Sequence, residues 1–374
     1  MGNAVPARQG VRGESSPDAG ARAAVARGGA APPAGPGAGA APAGGRSAGV
    51  SPDGGTDGQV CVAGPVFLDV VMGGLQHAPR PGEEQWVSDC AVMPGGAANQ
   101  AVALARLGAP TSLVTHLGED DAGRLVQTML ERDGIDLSGA VRLPRQSVTT
   151  SLAFDGDRAM TTFGTDATPP LATLATAPAC LVCDLRAIRD NRETLMRWRE
   201  EGAAPWVLAD VGWDPTGRWD PHDLDVLDLV DVFTPNEAEA LHYTRTADAA
   251  SAARALSERV GTVLLTRGAR GVLASSTTQE VELPVVPVPA VDTTGAGDTF
   301  SAGFVWAHLH GLPLRAALTT AALAASYTVG RPGGSASSPT LAELACWTRA
   351  QDLPQEYDTE FLDLIDDVGE GPRG

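Results

Sequence analysis

Residues 290–304 read AVDTTGAGDTFSAGF, and the fold of the chain turns on why small residues and a carboxylate are set together there. The Val/Pro segment before it, LPVVPVPA (283–290), is strand-like, and FSAGFVWAHL (300–309) after it is apolar and helical. The stretch between is a turn that delivers the chain into a helix. Gly295, Ala296 and Gly297 carry no bulky side chains, so a ligand can come close to their N–H groups. Glycine also allows backbone angles that are closed to other residues. N–H groups at a helix start lack partners within the helix and lie at the positive end of its dipole, which makes an anion site. Asp298 falls in the first turn, beside that site. A carboxylate is a poor neighbour for an anion that is merely bound. It is in place if the anion is a phosphoryl group in transit and the carboxylate accepts a hydroxyl proton. The plainer alternative is a first-turn acid that only complements the dipole.

The rest of the chain limits what such a site can serve. Its 374 residues suffice for one large domain or two small ones, and 43% are hydrophobic, enough for a substantial core. The formal net charge of −19 speaks against nucleic acid as a partner, since that needs a basic face. It does not exclude a phosphate-bearing ligand, because metal ions and backbone amides can supply local positive potential. No apolar run approaches the roughly 18 to 20 residues that cross a bilayer, so no membrane partner is expected. Five cysteines, an odd number, fit a reducing, cytoplasmic compartment better than a disulfide framework. Cys180 and Cys183 form a CxxC in PACLVCDLR, but the stretch reads as a buried strand. Residues three apart on a strand point to opposite faces, so the two thiols are expected not to converge.

Residues 1–57 are dominated by Ala, Gly and Pro and are expected to be a disordered tail, too poor in apolar surface to offset ordering entropy. Order is expected over 58–350, beginning at QVCVAGPVFLDVV. From there strand-like runs (TSLVTHLG, ACLVCDL, PWVLADV, DVFTP, GTVLLTRG) alternate with helical ones such as GGAANQAVALARLG and DAGRLVQTMLERDG. Such alternation implies right-handed β-α-β units and a parallel sheet covered on both faces. Two stretches, 70–93 and 147–163, look like hairpin material without crossover helices, the second with a DGD turn. They are expected to form a small sheet standing off the main domain as a lid. Residues 351–374 are acidic and are expected to be a solvated, partly frayed tail.

Further motifs repeat the pattern of small residues and polar groups at element ends. In MPGGAANQA, Gly95 and Gly96 open a helix and Asn99 lies in its first turn, offering a donor and an acceptor. Asp69, in FLDVV, is an acid in an apolar run, expected at the C-terminal side of a strand, where α/β folds bind ligands. It suits sugar hydroxyls, or it is a turn aspartate. In TPNEAEA, Asn236 and Glu239 are three apart at a helix start. Their oxygens suit Mg²⁺, which keeps several waters, and equally suit a capping box. LLTRGARG ends a strand in Thr266 and Gly268, a turn able to hold part of a nucleotide. The six histidines form no metal constellation, and His308 and His310 are expected at an exposed helix end. No P-loop is present, and no G-x-G-x-x-G opens the first strand-helix unit.

PGGAANQAVALARLG, PNEAEA, TRGARG and DTTGAGDTFSAGF occur in the order seen in the ribokinase-like carbohydrate kinases, the PfkB family, which the chain resembles over roughly residues 58–350. The resemblance implies a three-layer α/β fold, a mainly parallel central sheet flanked by helices, with a small β lid over the sugar. It implies ATP as co-substrate and phosphorylation of a hydroxymethyl group. By position, Asp298 would be the base and Gly295, Ala296 and Gly297 the anion hole. Asp69, Gly95, Gly96 and Asn99 would hold the sugar. Asn236 and Glu239 would organise Mg²⁺ and its waters, and Thr266 and Gly268 would contact the nucleotide. Many members also bind a monovalent cation, for which K⁺ is the candidate; the matching positions are Asp292, Thr294, Gly334 and Ser337.

The match is nearest to ribokinases at GGAANQA, yet Ala97 stands where their pattern has lysine. CDLRAIRDN offers Asp184 and Arg186 near the sugar, and an arginine facing the site would favour an anionic substrate such as a phosphosugar or sugar acid. A free sugar leads, with nucleosides and phosphosugars behind it. Two readings of other classes compete, a non-catalytic sugar- or nucleotide-binding protein and an assembly factor acting through its tail or lid. A homodimer is expected through exposed lid strands, since a small sheet with an uncovered apolar face invites pairing.

Overall fold

In the computed structural model, residues 59–369 are described, apart from 155, 156, 213 and 215. The tail expected over 1–57 and the tip of the DGD turn lie outside the described residues. The chain opens with β1 (Val60–Ala63), β2 (Val66–Gly73), β3 (Asp89–Gly96) and α1 (Ala97–Arg106). There follow β4 (Thr111–Val114), β5 (His116–Gly118), α2 (Asp121–Arg132), β6 (Val141–Leu143), β7 (Ser147–Phe154) and β8 (Asp157–Phe163). The middle of the chain holds β9 (Cys180–Asp184), α3 (Leu185–Asp190), α4 (Arg192–Glu200), β10 (Trp206–Asp210), β11 (Val232–Phe233), α5 (Glu237–Thr244) and α6 (Ala249–Ser257). It closes with β12 (Thr262–Thr266), β13 (Val272–Ser276), β14 (Glu280–Leu283), α7 (Ala296–Leu309), α8 (Leu314–Val329), α9 (Leu341–Arg349) and α10 (Phe361–Gly369).

An eight-stranded sheet in the order β14-β13-β12-β11-β10-β9-β1-β4 carries the molecule. From β4 through β12 neighbouring strands run parallel, while β13 and β14 turn back antiparallel. Alternate residues of each strand feed two cores, as a sheet buried on both faces requires. Val60, Val62, Cys180 and Val182 face the helices α1, α7 and α8, whereas Cys61, Ala63, Leu181 and Cys183 face α3 to α6. Cys180 and Cys183 therefore sit on opposite faces, both buried as free thiols.

The lid is a second sheet, in the order β3-β2-β7-β8. Its strands extend past the expected hairpins at the outer ends: β2 begins at Val66 and β3 runs on to Gly96, directly against α1. TSLVTHLG does not form one strand. β4 ends at Val114, and β5 pairs instead with β6 in a separate two-stranded sheet.

The closing segment corrects the expectation of a solvated tail. Phe361 is fully buried, and Leu353, Tyr357, Leu362, Leu364 and Ile365 pack on the core that α1, α7 and α8 share with the sheet. Every third or fourth residue there is apolar, a helical stripe that the acidic composition obscures. His308 is likewise not at an exposed end. Its ring stacks on Trp206 with centroids 4.0 Å apart, and burial lowers its pKa.

Candidate active site

The order of the main sheet locates the site before any side chain is considered. From β1 the chain reaches its neighbour β4 on one side, and it returns as β9 on the other. Crevices beyond the C-terminal ends of strands at such a reversal are where open α/β sheets bind ligands. Three kinds of group meet there: carboxylates at strand ends, two helix N-termini, and the turn after β12.

The carboxylates are Asp184, which ends β9, and Asp210, which ends β10. The two are paired in register on adjacent parallel strands, so they lie side by side. Asp184 accepts a hydrogen bond from the Ala187 N–H at 2.6 Å and caps α3, while Asp210 accepts one from the Val211 N–H at 2.7 Å. Burial raises the Asp210 pKa to about 6, and the charge of Asp184 adds to the rise. Burial likewise raises the pKa of Asp184.

Helices α1 and α7 pack together and begin at this crevice, and neither start is capped by a side chain. Their first turns meet at Asp298 of α7, where the Asn99 and Gln100 side chains of α1 come near enough to favour its charged form. Burial raises the Asp298 pKa to about 7, the charge of Asp210 raises it further, and the two amides partly oppose the rise. Asp298 as a residue is half-buried. Asp298 can thus hold or release a proton near neutral pH.

Gly295 caps α7 at φ 70°, and a β-carbon there would lie 2.0 Å from the Ser335 hydroxyl. At Gly297, by contrast, an added β-carbon meets nothing within 4 Å. The two glycines therefore do different things: the first closes a turn against Ser335, and the second leaves space beside the helix start. That space belongs to a cavity of about 580 Å³ lined by Thr266, Gly268, Ala296, Gly297 and, farther along, Val286 and Ala325. Ligand pockets typically fall between about 300 and 1,000 Å³ with mostly apolar linings. Thr266 and Gly268 thus share one cavity with Ala296 and Gly297, while Gly295 is not among its lining residues.

Asn236 lies beside this cavity because it bridges to Thr266 as an extension of β11 and β12. Asn236 and Glu239 form a reciprocal capping box: the Asn236 side chain accepts from the Glu239 N–H at 3.0 Å, and the Glu239 carboxylate from the Asn236 N–H at 2.8 Å. Burial raises the Glu239 pKa to about 7, and the charge of Asp210 adds to this. The charged neighbour that each of Asp298, Asp210 and Glu239 feels is another carboxylate. Such a set of hard oxygen donors, destabilised by mutual repulsion, fits a divalent cation. Among the described residues no three His, Cys, Asp or Glu side chains converge into a metal cage made by protein alone. The chain contains no lysine, all 27 basic residues being arginine, so a lysine cannot offset phosphate charge here.

The residues expected at a monovalent cation form a clamp. Asp292 accepts hydrogen bonds from the N–H groups of Thr294 (2.9 Å), Gly333 (3.2 Å) and Gly334 (3.1 Å). The Ser337 hydroxyl donates to the Gly334 carbonyl at 2.7 Å. This holds the loop before α7 against the turn after α8.

On the sugar side the structure differs from the sequence reading in two ways. Asp69 is not at the end of a main-sheet strand but inside lid strand β2. Its carboxylate lies over Gly95 so closely that a β-carbon at 95 would come within 1.8 Å of Oδ2. The position of Gly95 thus makes room for Asp69, and Gly96, at φ 66°, turns the strand into α1. Arg186 is committed elsewhere, to Asp166 at 2.5 Å and Asp190 at 3.8 Å. Its charge is balanced by two acids.

Sequence reasoning missed Asp210 and Gln100. For Asp210 the signal was present: CLVCD and PWVLAD each end a buried strand in a carboxylate. Gln100 was hidden as a buried polar residue among helix alanines.

Comparison with known proteins places these motifs in a family. A model of the pfkB family of carbohydrate kinases matches residues 59–341. The chain is 30% identical over 296 residues to a ribokinase of Bacillus subtilis, covering 76% of this chain and 97% of that one. It is 30% identical over 299 residues to an ATP-dependent ribose-1-phosphate kinase of Halopiger xanaduensis, covering 77% and 97%. Among solved structures, a ribokinase of Thermotoga maritima superposes with a TM-score of 0.65 at 25% identity, covering 78% of this chain and 99% of that one.

Proposed function

The chain belongs to the pfkB family of carbohydrate kinases, and on that premise we propose that it transfers the γ-phosphoryl group of ATP to a primary hydroxyl of a small uncharged sugar, ribose first among the acceptors. The observation that carries the reading is Asp298 itself. A carboxylate poised to titrate near pH 7 sits where two uncapped helix starts meet, beside a nucleotide-sized cavity. A protein that only bound sugar or nucleotide has no use for such a base.

In this mechanism the sugar lies between the lid and α1, held by Asp69 and Asn99 with Gly95 and Gly96 giving close approach. Its hydroxyl oxygen attacks the γ-phosphorus in line as the bond to the β-γ bridging oxygen breaks, and ADP leaves. Asp298 takes the hydroxyl proton as the new O–P bond forms, and a base with a pKa near the working pH is the efficient choice. The N–H groups of Gly295 and Gly297 hold the transferred oxygens at the start of α7, joined by that of Ala296 when it releases the Thr293 carbonyl it meets at 3.3 Å. Thr266 and Gly268 line the nucleotide cavity. Asp210 and Glu239, with Asn236, would hold Mg²⁺ through its waters; bound there, the ion neutralises charge on the β- and γ-phosphates. Closure of the lid excludes water and limits wasted ATP.

The neutral sugar is favoured over a phosphosugar or sugar acid by the pairing of Arg186 with Asp166 and Asp190. K⁺ is the finer part of the proposal, held by carbonyls of the two loops that Asp292 ties together. A homodimer through the lid is supported by exposed Val92, Met160 and Phe163 on its edge strands β3 and β8. No described helix is long and apolar enough to cross a membrane. Removal of residues 1–57 tests whether that segment contributes, and unchanged turnover would make it dispensable for the chemistry.

The test is ADP release from Mg·ATP across ribose, fructose, nucleosides, ribose phosphates and keto-sugar acids. Turnover with a neutral sugar supports the proposal. Turnover confined to phosphosugars would overturn the acceptor assignment, and nucleotide binding with no turnover on any acceptor would favour the binding-protein reading.

A further inference from the structure

The cavity has a wall that the family motifs do not supply. Residues 353–365 lie beyond residue 341, where the family match ends, yet Tyr357 is one of two aromatic side chains in the cavity lining, with Phe300. The segment is fixed at several points. The Arg315 guanidinium donates to the Glu356 carbonyl at 3.0 Å, and the Asp358 N–H donates to the Thr319 hydroxyl at 3.0 Å. Phe361 is buried in the core at 0% exposure. Between these anchors the Tyr357 hydroxyl reaches across and donates to the Pro284 carbonyl at 2.6 Å. Pro284 opens the run Pro284–Val288, which itself lines the cavity. Burial pushes the phenol up to about 12, so it stays a neutral donor at working pH.

We propose that Tyr357 is a nucleotide-positioning residue, its ring forming the outer wall of the adenine site and its hydroxyl fastening that wall to the Pro284–Val288 run. The inference rests on the reading of the cavity as the ATP site. On α8 the cavity is lined by Ala322, Ala325, Ser326 and Val329, and the Tyr357 segment is fastened to the same helix through Arg315 and Thr319. An aromatic ring supplies both area and a preferred geometry for a flat base. The phosphates are served at the other end by Gly297 and its neighbours, so base and phosphate contacts are separable.

The test is calorimetric binding of ADP and of inorganic tripolyphosphate to the full chain, to Tyr357→Ala and to Tyr357→Phe, with thermal melts of each. Loss of the ring weakens ADP by roughly tenfold, a shift of about 1.4 kcal/mol. Tyr357→Phe keeps the ring and stays within about threefold of the wild type. Tripolyphosphate, which has no base, binds all three alike, and in turnover the ATP KM rises while the sugar KM holds. ADP binding unchanged in a folded Tyr357→Ala overturns this inference alone, as does equal weakening of ADP and tripolyphosphate. A wild type that binds no ADP would overturn the kinase reading and this inference with it. Should Tyr357→Ala melt early, a loss of ADP affinity in Tyr357→Phe as large as that expected for Ala would itself refute the role of the ring.

Discussion

Replacing Asp298 by Asn should stabilise the ligand-free protein while removing its turnover. The folded protein holds the Asp298 proton more tightly than an unfolded chain does, with a pKa raised from 3.8 to about 7. The stability this group contributes is therefore complete in acid, below the unfolded value, and is lost as pH rises through the folded one. At about 1.36 kcal/mol per unit, a rise of this size is worth at most about 4 kcal/mol. Because the residue is half-buried, solvent screening reduces that to roughly 1–3 kcal/mol. Asn has nearly the same shape, and its Oδ1 can accept a hydrogen bond from Asn99 or Gln100. The variant should then melt about 2–6 °C above the wild type at about pH 8 and level with it at about pH 4. Loss of the base should lower kcat by roughly 10²–10⁴. The assay is a pair of melting curves against pH beside a turnover measurement. Equal melting of the two proteins at every pH would refute the burial argument, and retained turnover would refute the role of base.

Other expected outcomes test neighbouring steps. Asp210→Asn removes a like charge that raises the Asp298 pKa, so the rise of kcat/KM with pH should move to lower pH; an unmoved limb would contradict the coupling. Gly95→Ala places a β-carbon against the Asp69 carboxylate, so the sugar KM should rise by roughly tenfold or more while the ATP KM holds. The glycines of the α7 start should part company. Gly295→Ala meets both φ 70° and the Ser335 hydroxyl and should lower the melting temperature, whereas Gly297→Ala should melt no lower than the wild type. Both should lose turnover, Gly297→Ala because its methyl enters the cavity beside the anion hole. Exchange of K⁺ for a bulky organic cation should lower turnover without changing the fold by circular dichroism.

What could be read in the sequence was whatever local chemistry dictates. GAGD before an apolar helix requires a tight turn and an open helix start, and the structure places Gly295 in the left-handed region with α7 uncapped. Apolar runs alternating with helical periods gave the layered sheet, and strand periodicity alone separated Cys180 from Cys183. What could not be read was what tertiary pairing decides. Whether Asp69 belongs to the main sheet or the lid depends on where the chain turns at Gly64 and Pro65, and an apolar run looks the same in both. Arg186 reads as a free cation until the fold brings Asp166 to it. The acidic composition of the C-terminal stretch concealed a spaced apolar set, Leu353, Tyr357 and Phe361, that only a surface to dock on makes meaningful.

The central claim is that Asp298 and the α7 start transfer a phosphoryl group to a sugar hydroxyl. The most direct measurement is phosphorus NMR of the full chain with Mg·ATP and ribose. The account predicts that the γ-phosphate signal is replaced by a phosphomonoester split by the two protons of a sugar methylene, with matching ADP, and that Asp298→Asn abolishes it. Conversion of the γ-phosphate to inorganic phosphate alone, or a phosphomonoester formed equally well by Asp298→Asn, would contradict it.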